Sequence, residues 1–424
     1  MSIDHLYQLF LEHPIVCTDT RKLVPDSIFV ALKGGNFNGN LFAIQAIEKG
    51  CSYSIVDDPE IAQSNSKCIL VNDTLETLQE LAHYHRKQLS IPVIAITGSN
   101  GKTTSKELIH QVLSKKFNIY STPGNYNNHI GMPLSILQMT SKTDIAILEM
   151  GDSKRGDVTE LCTIAEPDFG VLTNIGKDHI EGFGSMEENV LAKKEIIDYL
   201  ANHGGTFFLN TDDLLVSSLC PDQLSLIKYG SHAITYYQSA PFVEYKDREG
   251  TVHGTQLIGK YNIDNIALTY AIGMHFDVPD QQIFDAIDNY IPKLNRSQLD
   301  KTAKNELIMD AYNANPSSVE LALKSFSELN VNTEKWAIIG DMLELGAISF
   351  EEHQNIALLA SELKLKHVIF IGSHFYETKH NPDFYYFKEK EEAEHFLDHK
   401  KLENATILLK GSRGLQLETL KAYL

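Results

Sequence analysis

Residues 93–117 read VIAITGSNGKTTSKELIHQVLSKKF. A short apolar run leads into a glycine turn. The turn opens straight into a segment with apolar residues at helical spacing, the pattern of a buried strand followed by an amphipathic helix. Glycines let backbone N–H groups curl around phosphate oxygens. The first turn of the new helix adds unpaired N–H groups at the positive end of its dipole. Gly98, Ser99, Asn100, Gly101, Lys102, Thr103 and Thr104 therefore form a candidate cradle for the phosphates of ATP. Lys102 is placed to reach the β- and γ-phosphates, and the Thr103 hydroxyl to ligate Mg²⁺. Ile96 stands where the longer form of this motif has its first glycine. The alternative, a glycine turn with a chance lysine, is disfavoured by the strand before it and the helix after it.

The alternation continues on both sides. DIAILEM (144–150), FGVLTNI (169–175) and TFFLN (206–210) are predicted strands, which argues for a mostly parallel, doubly wound sheet. Residues 229–259 have the look of antiparallel hairpins, followed by a helix over NIDNIALTYAIGMHF. Upstream, SIFVAL (27–32), CSYSIVDD and KCILVND predict strands, and TLETLQELAHYHRKQL a helix that stops before Ser90-Ile91-Pro92, since proline disfavours helix in the residue before it. Downstream, ELIMDAY, WAIIGD, HVIFIG and ATILLKG predict strands separated by helices near 317–329, 350–363 and 390–398. The expected class is α/β with three domains. These are a small N-domain (1–90), a central domain built on a P-loop-type, doubly wound, mostly parallel sheet (91–293), and a Rossmann-like C-terminal domain (294–424).

Composition bounds the partners. The net charge of −19, from 56 acidic and 37 basic residues, repels phosphate backbones, so nucleic acid is not expected. A nucleotide can still bind where local amides, a lysine and a metal override the global field. Cys17, Cys51, Cys68, Cys162 and Cys220 are odd in number and form no close pair, which suits reduced thiols. The N-terminal MSIDHLYQLFLEHP lacks a basic start followed by an apolar run and predicts a short helix, not a signal peptide. No apolar run is long enough to span a bilayer. A cytoplasmic monomer without membrane insertion is expected.

Three polar residues fall at or after the carboxyl ends of predicted strands, where open α/β sheets bind ligands. Glu149 closes DIAILEM, His179 follows FGVLTNI, and Lys193 lies on the next helix. A carboxylate and an imidazole beside a γ-phosphate suit Mg²⁺. Taken singly, each is more often a surface or core group; their order after a phosphate loop changes that balance.

Here the residues resemble the Mur ligases, which join a carboxylate to an amine using ATP. Thr97–Thr104 is similar to the family's T-G-x-x-G-K-T-T loop. Glu149-Met150-Gly151, the N-I-G-x-D-H-I-E stretch at 174–181 and Ala192-Lys193-Lys194-Glu195 are similar to its magnesium and carbamate-lysine segments. The resemblance implies two Mg²⁺ ions held by Thr103, Glu149, His179 and a carbamylated Lys193. Asp152-Ser153 follow Gly151 where family members often have Ala-Asn.

The same resemblance assigns the remaining sites. Thr18-Asp19-Thr20-Arg21 resembles part of the family's uridine-nucleotide domain, which makes Thr20 and Arg21 substrate contacts. TPGNYNNHIG (122–131) resembles the asparagine-rich loop near the sugar diphosphate, giving Asn125, Asn127 and Asn128. GKYNIDN (259–265) resembles the segment at the adenine, giving Asn262 and Asn265, with Tyr261 where histidine is usual. Arg296 matches an arginine near the nucleotide. DAYNANPS (310–317) resembles the D-x-Y-N-A-N-P stretch of the branch that adds D-alanyl-D-alanine, with Asp310 and Asn313 as catalytic candidates and Tyr312 and Asn315 as substrate contacts. GDMLELG (340–346), His353 and LKGSRG (409–414) agree with that branch. The implied reaction is ATP-dependent ligation of D-alanyl-D-alanine to UDP-N-acetylmuramoyl-tripeptide through an acyl phosphate. Two alternatives stand beside it: another ligase of this superfamily, such as a folylpolyglutamate synthetase or the diaminopimelate-adding enzyme, and a nucleotide-binding protein with a degenerate site. The first is disfavoured by the D-x-Y-N-A-N-P segment and by the match of the N-domain.

Overall fold

The computed structural model describes residues 1–424 apart from Ala240, Leu294 and His380; Leu294, the expected start of the third domain, thus lies outside the described residues. The chain folds as three α/β units, as the alternation predicts. The first carries a parallel sheet in the order 16–17, 28–30, 53–56, 68–70. The glycine-rich KGGNFNGN forms a small hairpin beside it.

The second unit is built on six parallel strands in the order 225–229, 206–210, 169–172, 93–97, 145–149, 119–121. Val93–Thr97 is central and buried along its whole length, which is why it reads as an unbroken apolar run. From it the chain first builds 119–121 and 145–149 on one side, then crosses to 169–172 on the other. The carboxyl end of Val93–Thr97 is therefore a topological switch point, where such sheets open a crevice. Two edge strands, Ile119–Ser121 and Ser225–Tyr229, were not predicted; the first is short, and both are only partly buried and lack a strong apolar pattern. The hairpins expected over 229–259 are present as three antiparallel strands, 235–239, 242–246 and 252–258.

The third unit has the order 298–301, 306–310, 405–410, 334–340, 367–371, 385–387, with only the first strand antiparallel. The first and second units share a core. Helix Thr74–Gln88 inserts Leu78, Leu81 and Ala82 into the cluster that contains Met132 and Ile136. Arg86 Nε donates to the Ala165 carbonyl (2.8 Å), and a His85 Nε2 contact reaches the Met139 carbonyl (3.0 Å). Among the described residues no helix is long and apolar enough to cross a membrane.

Candidate active site

The glycine turn sits at the switch point, and the neighbouring strand end closes over it. Gly98 has φ +132°, and a Cβ there would lie 2.1 Å from Thr173 Oγ1. Gly101, at φ +82°, starts helix Lys102–Leu113, and a Cβ on it would meet Asn265 Oδ1 at 2.8 Å. Both positions demand glycine on backbone and steric grounds. Asn100 N donates to Asn174 Oδ1 (3.1 Å), while Thr173 Oγ1 and Asn174 Nδ2 donate to the Asn100 carbonyl (2.6 and 3.0 Å). Lys102 folds its ammonium onto the Gly98 carbonyl. Burial lowers the Lys102 pKa, against the pull of Asp152 and Asp178.

Glu149 emerges from the adjacent strand and is 2% exposed, so it needs partners. Thr103 Oγ1 donates to its Oε2 (2.8 Å), Asn127 Nδ2 donates to its Oε1 (2.9 Å), and Lys106 Nζ lies 3.3 Å away. Burial pushes its pKa up, but Lys106, Lys102, Arg296 and the Thr103 hydrogen bond outweigh this, and the net shift is downward. Lys106 was missed by sequence reading, although it lies one helical turn after Lys102 on the same face.

The turn from Ser99 to Thr104 and Glu149 line a cavity of about 620 Å³. Ser99 to Thr104, Asn125, Asn127, Asn128, Glu149 and His179 reach it from the second unit, as do Asn262 and Asn265. Arg296, Asp310, Tyr312, Asn313 and Asn315 reach it from the segment that follows. The asparagines of GKYNIDN are braced on the helix after the glycine turn: Ser105 Oγ donates to Asn265 Oδ1 (3.0 Å), and Asn265 Nδ2 to Asn262 Oδ1 (2.8 Å). Tyr261 Oη is 2.7 Å from Ser297 Oγ, and burial together with Asp310 raises its pKa. Arg296 stacks 3.8 Å from the Tyr312 ring centre, with a buried Nε that has no hydrogen-bond partner. Asn315 has two tasks. Its Oδ1 caps helix Pro316–Glu328 by accepting from Ser318 N (2.8 Å), and its Nδ2 donates to Asn100 Oδ1 (2.9 Å). Asp310 accepts from Lys410 Nζ (2.7 Å) and from Ser297 N (3.1 Å). Lys410 belongs to the LKGSRG stretch, which by itself assigns it no role; parallel pairing of its strand with 306–310 sets it opposite Asp310.

Four expected residues stand outside this lining. Gly98 serves through its carbonyl. Thr20 and Arg21 lie on the loop before the second strand, and the Arg21 fork is occupied by Asp19, at 2.9 Å from Nε and 2.8 Å from Nη2. Lys193 is the fourth. It is fully buried behind the cavity wall, with Nζ 2.8 Å from Asp152 Oδ2 and 3.2 Å from Asp178 Oδ2. Asp152 is an acid where the family often has alanine, and buried as it is it takes Lys193 as its partner. Asp178 was also missed, although it precedes His179 directly. Burial pushes its pKa up, but Lys193, Lys102 and hydrogen bonds from Ser99 (2.5 Å) and Asn189 (2.9 Å) bring it below its ordinary value.

No group of three or more His, Cys, Asp or Glu side chains among the described residues forms a ready metal cage. The acceptor chemistry nevertheless fits a cation. Asp152 Oδ1 is buried without a hydrogen-bond partner, and the Glu149 carboxylate, its pKa lowered, lies beside the Thr103 hydroxyl.

Comparison with known proteins agrees with this geometry. Residues 96–273 match the Mur ligase middle domain, and residues 295–413 match the Mur ligase, glutamate ligase domain. The UDP-N-acetylmuramoyl-tripeptide–D-alanyl-D-alanine ligase of Bacillus subtilis is 35% identical, covering 95% of this chain and 91% of that protein. The enzyme of the same name from Escherichia coli is 30% identical, covering 95% of this chain and 92% of its own. A crystal structure of MurF from Acinetobacter baumannii superposes with TM-score 0.88 at 25% identity, covering 99% of this chain and 98% of that one. MurF ligase from Thermotoga maritima, solved with ADP, shares the fold with TM-score 0.86 at 24% identity, covering 97% of each chain. With the phosphate turn, the buried acid and the converging asparagine loops in place, this chain belongs to the Mur ligase family.

Proposed function

We propose that this chain is an ATP-dependent amide-bond ligase that joins D-alanyl-D-alanine to UDP-N-acetylmuramoyl-tripeptide, releasing ADP and phosphate and supplying the pentapeptide precursor of peptidoglycan. The observation that carries the reading is convergence. The glycine turn and Glu149 of the second unit and the DAYNANPS loop of the third line one cavity. In this reading the domains run 1–90, 91–293 and 294–424, and the enzyme is a cytoplasmic monomer.

ATP lies with its phosphates on residues 98–104 and its adenosine towards Asn262, Asn265 and Arg296. The tripeptide carboxylate attacks the γ-phosphorus in line, which gives an acyl phosphate and ADP. The amine of D-alanyl-D-alanine then attacks the acyl carbon, and phosphate leaves the tetrahedral intermediate. Lys102 offsets charge on the transferring phosphoryl group. Asp310, held by Lys410, and Asn313 orient the incoming dipeptide, and Tyr312 and Asn315 flank it. Asn125, Asn127 and Asn128 serve the sugar diphosphate, and Thr20 and Arg21 the uridine, once Arg21 exchanges Asp19 for substrate. Drawing reactants from separate units into register is worth roughly 7–11 kcal/mol of barrier when geometry is correct.

Mg²⁺ would be held by Thr103, Glu149 and His179, and when bound it would neutralise charge on the β- and γ-phosphates. A carbamate on Lys193, which would bring a second ion, sets a third anion beside Asp152 and Asp178. In this chain it therefore forms only together with the cation that offsets it.

The test is phosphate release with UDP-tripeptide and a panel of amines: D-alanyl-D-alanine, D-glutamate, meso-diaminopimelate and L-glutamate. Turnover is expected with the first alone, and turnover with another amine would move the chain to a different branch. Lys102→Ala is expected to abolish release with the fold intact. Ligase activity retained in that variant would remove the loop from the reaction.

A further inference from the structure

We propose that Asn315 is a positioning residue for the phosphate turn: from the third unit its amide holds the Asn100 side chain, so the nucleotide site takes its final shape only when that unit is docked. The inference rests on the nucleotide reading above and gives a residue of the DAYNANPS loop a role beyond flanking the dipeptide.

The Asn315 amide is committed at both ends. Its Oδ1 accepts from Ser318 N (2.8 Å) as the cap of helix Pro316–Glu328, and Ser318 Oγ accepts in return from Asn315 N (3.1 Å). A backbone N–H can only donate, so the cap fixes which end of the amide is oxygen. Nδ2 is thereby directed to Asn100 Oδ1, to which it donates at 2.9 Å. Asn315 is 6% exposed, so water competes little for this bond.

The backbone of Asn100 is held from the second unit. Its N–H donates to Asn174 Oδ1 (3.1 Å), and its carbonyl accepts from Thr173 Oγ1 and Asn174 Nδ2 (2.6 and 3.0 Å). None of these bonds fixes the side chain. Among the side chains of residues 98–104, Asn100 Oδ1 is the one atom that can only accept a hydrogen bond. Turned towards a phosphate oxygen, it would repel the nucleotide. Asn315 gives that atom a donor of its own and leaves Asn100 Nδ2, which can only donate, for the anion.

Docking does not depend on this one bond. The Lys177 N–H donates to Ser317 Oγ (3.0 Å), Lys177 Nζ pairs with Glu352 (2.7 Å), and the Glu181 N–H donates to the Glu344 carbonyl (3.0 Å). A Cβ on Gly176 would lie 2.9 Å from Ser317 Oγ, so the two units pack closely beside Asn315. Losing the Asn315–Asn100 bond therefore releases the Asn100 side chain and leaves the third unit in place.

The experiment uses the full chain with Mg²⁺. Calorimetric titration gives the ADP affinity, and phosphate release gives KM for ATP and for D-alanyl-D-alanine. Asn315→Ser keeps a good helix cap but is too short to reach Asn100. One neutral hydrogen bond corresponds to about 3–10-fold in affinity. Asn315→Ser should weaken ADP binding and raise KM for ATP by that factor, more than it changes KM for D-alanyl-D-alanine, with the unfolding midpoint kept. In an Asn100→Ala background the same substitution should change nothing, because the group it acts through is gone. Asn315→Asp also keeps the cap, but sets a carboxylate against Asn100 Oδ1 and should weaken ADP at least as much. The proposal is overturned by an Asn315→Ser effect of equal size in the Asn100→Ala background, or by a rise in KM for the dipeptide with ADP affinity intact. An Asn315→Asp variant with wild-type ADP affinity overturns it as well. A wild type that binds no ADP sinks the nucleotide reading and this role with it, whereas a wild type that binds ADP with independent effects at the two asparagines removes the role alone.

Discussion

Replacing Lys193 by methionine tests the charge arrangement at the heart of the site. The Lys193 and Asp152 side chains are 0% exposed and that of Asp178 is 4% exposed, so solvent cannot screen what the substitution leaves behind. Methionine fills most of the volume and removes only the charge. Two buried carboxylates then face each other without their cation, and breaking a buried pair in this way costs about 3–5 kcal/mol. Adding Asp152→Asn should recover part of that loss, with a coupling energy of about 0.5–3 kcal/mol between the two sites. The assay is urea unfolding of the metal-free protein followed by circular dichroism, with hydrogen exchange over helix Met186–His203 as the local probe. The single tryptophan is the wrong reporter, because Trp336 is buried in the core of the third unit. The same protein in ¹³C-bicarbonate should show a carbamate carbon only after Mg²⁺ and nucleotide are added. A Lys193→Met variant as stable as the wild type, or more stable, would refute the reasoning, since removing an anionic carbamate from between two acids would relieve repulsion. A carbamate signal without metal would refute it by a second route.

Other outcomes follow from the same geometry. Gly98→Ala places a Cβ 2.1 Å from Thr173 Oγ1 at φ +132°, so ATP affinity should fall with a stability loss on the order of 1–3 kcal/mol; calorimetric titration showing wild-type affinity would contradict the described turn. For Glu149, burial raises the pKa but Lys106, Lys102 and Arg296 outweigh it, so the folded value lies below the unfolded one of about 4.3. Its contribution is therefore full above that pH and lost as pH falls through the folded value. The stability gap between wild type and Glu149→Gln should shrink on acidification below about pH 4. A gap that stays constant from neutral pH into this acid range would deny the carboxylate its role.

Much of the architecture was legible in the chain alone. Val93–Thr97 and its glycine turn identify the central sheet, because a strand buried on both faces must be apolar throughout and a phosphate turn must carry glycine. The helix near 317–329 was readable too; the fold starts it at Pro316, with the Asn315 side chain as its cap. Glu149 and His179 could be picked out because both follow predicted strands. Edge strands escaped, since 119–121 and 225–229 draw their pairing from neighbours and not from a pattern of their own.

What tertiary structure alone decided is which charges meet. Sequence could rank Lys193 by register, but that its nitrogen lies beside Asp152 and Asp178, 41 and 15 residues earlier in the chain, is visible only in the fold. Lys410 pairs with Asp310 across 100 residues, and Glu344 finds His179 from another unit. Local propensity acts over a few residues and leaves a mark in the sequence. Electrostatic partnership acts through space over a few ångströms, and only the folded chain brings the partners that close.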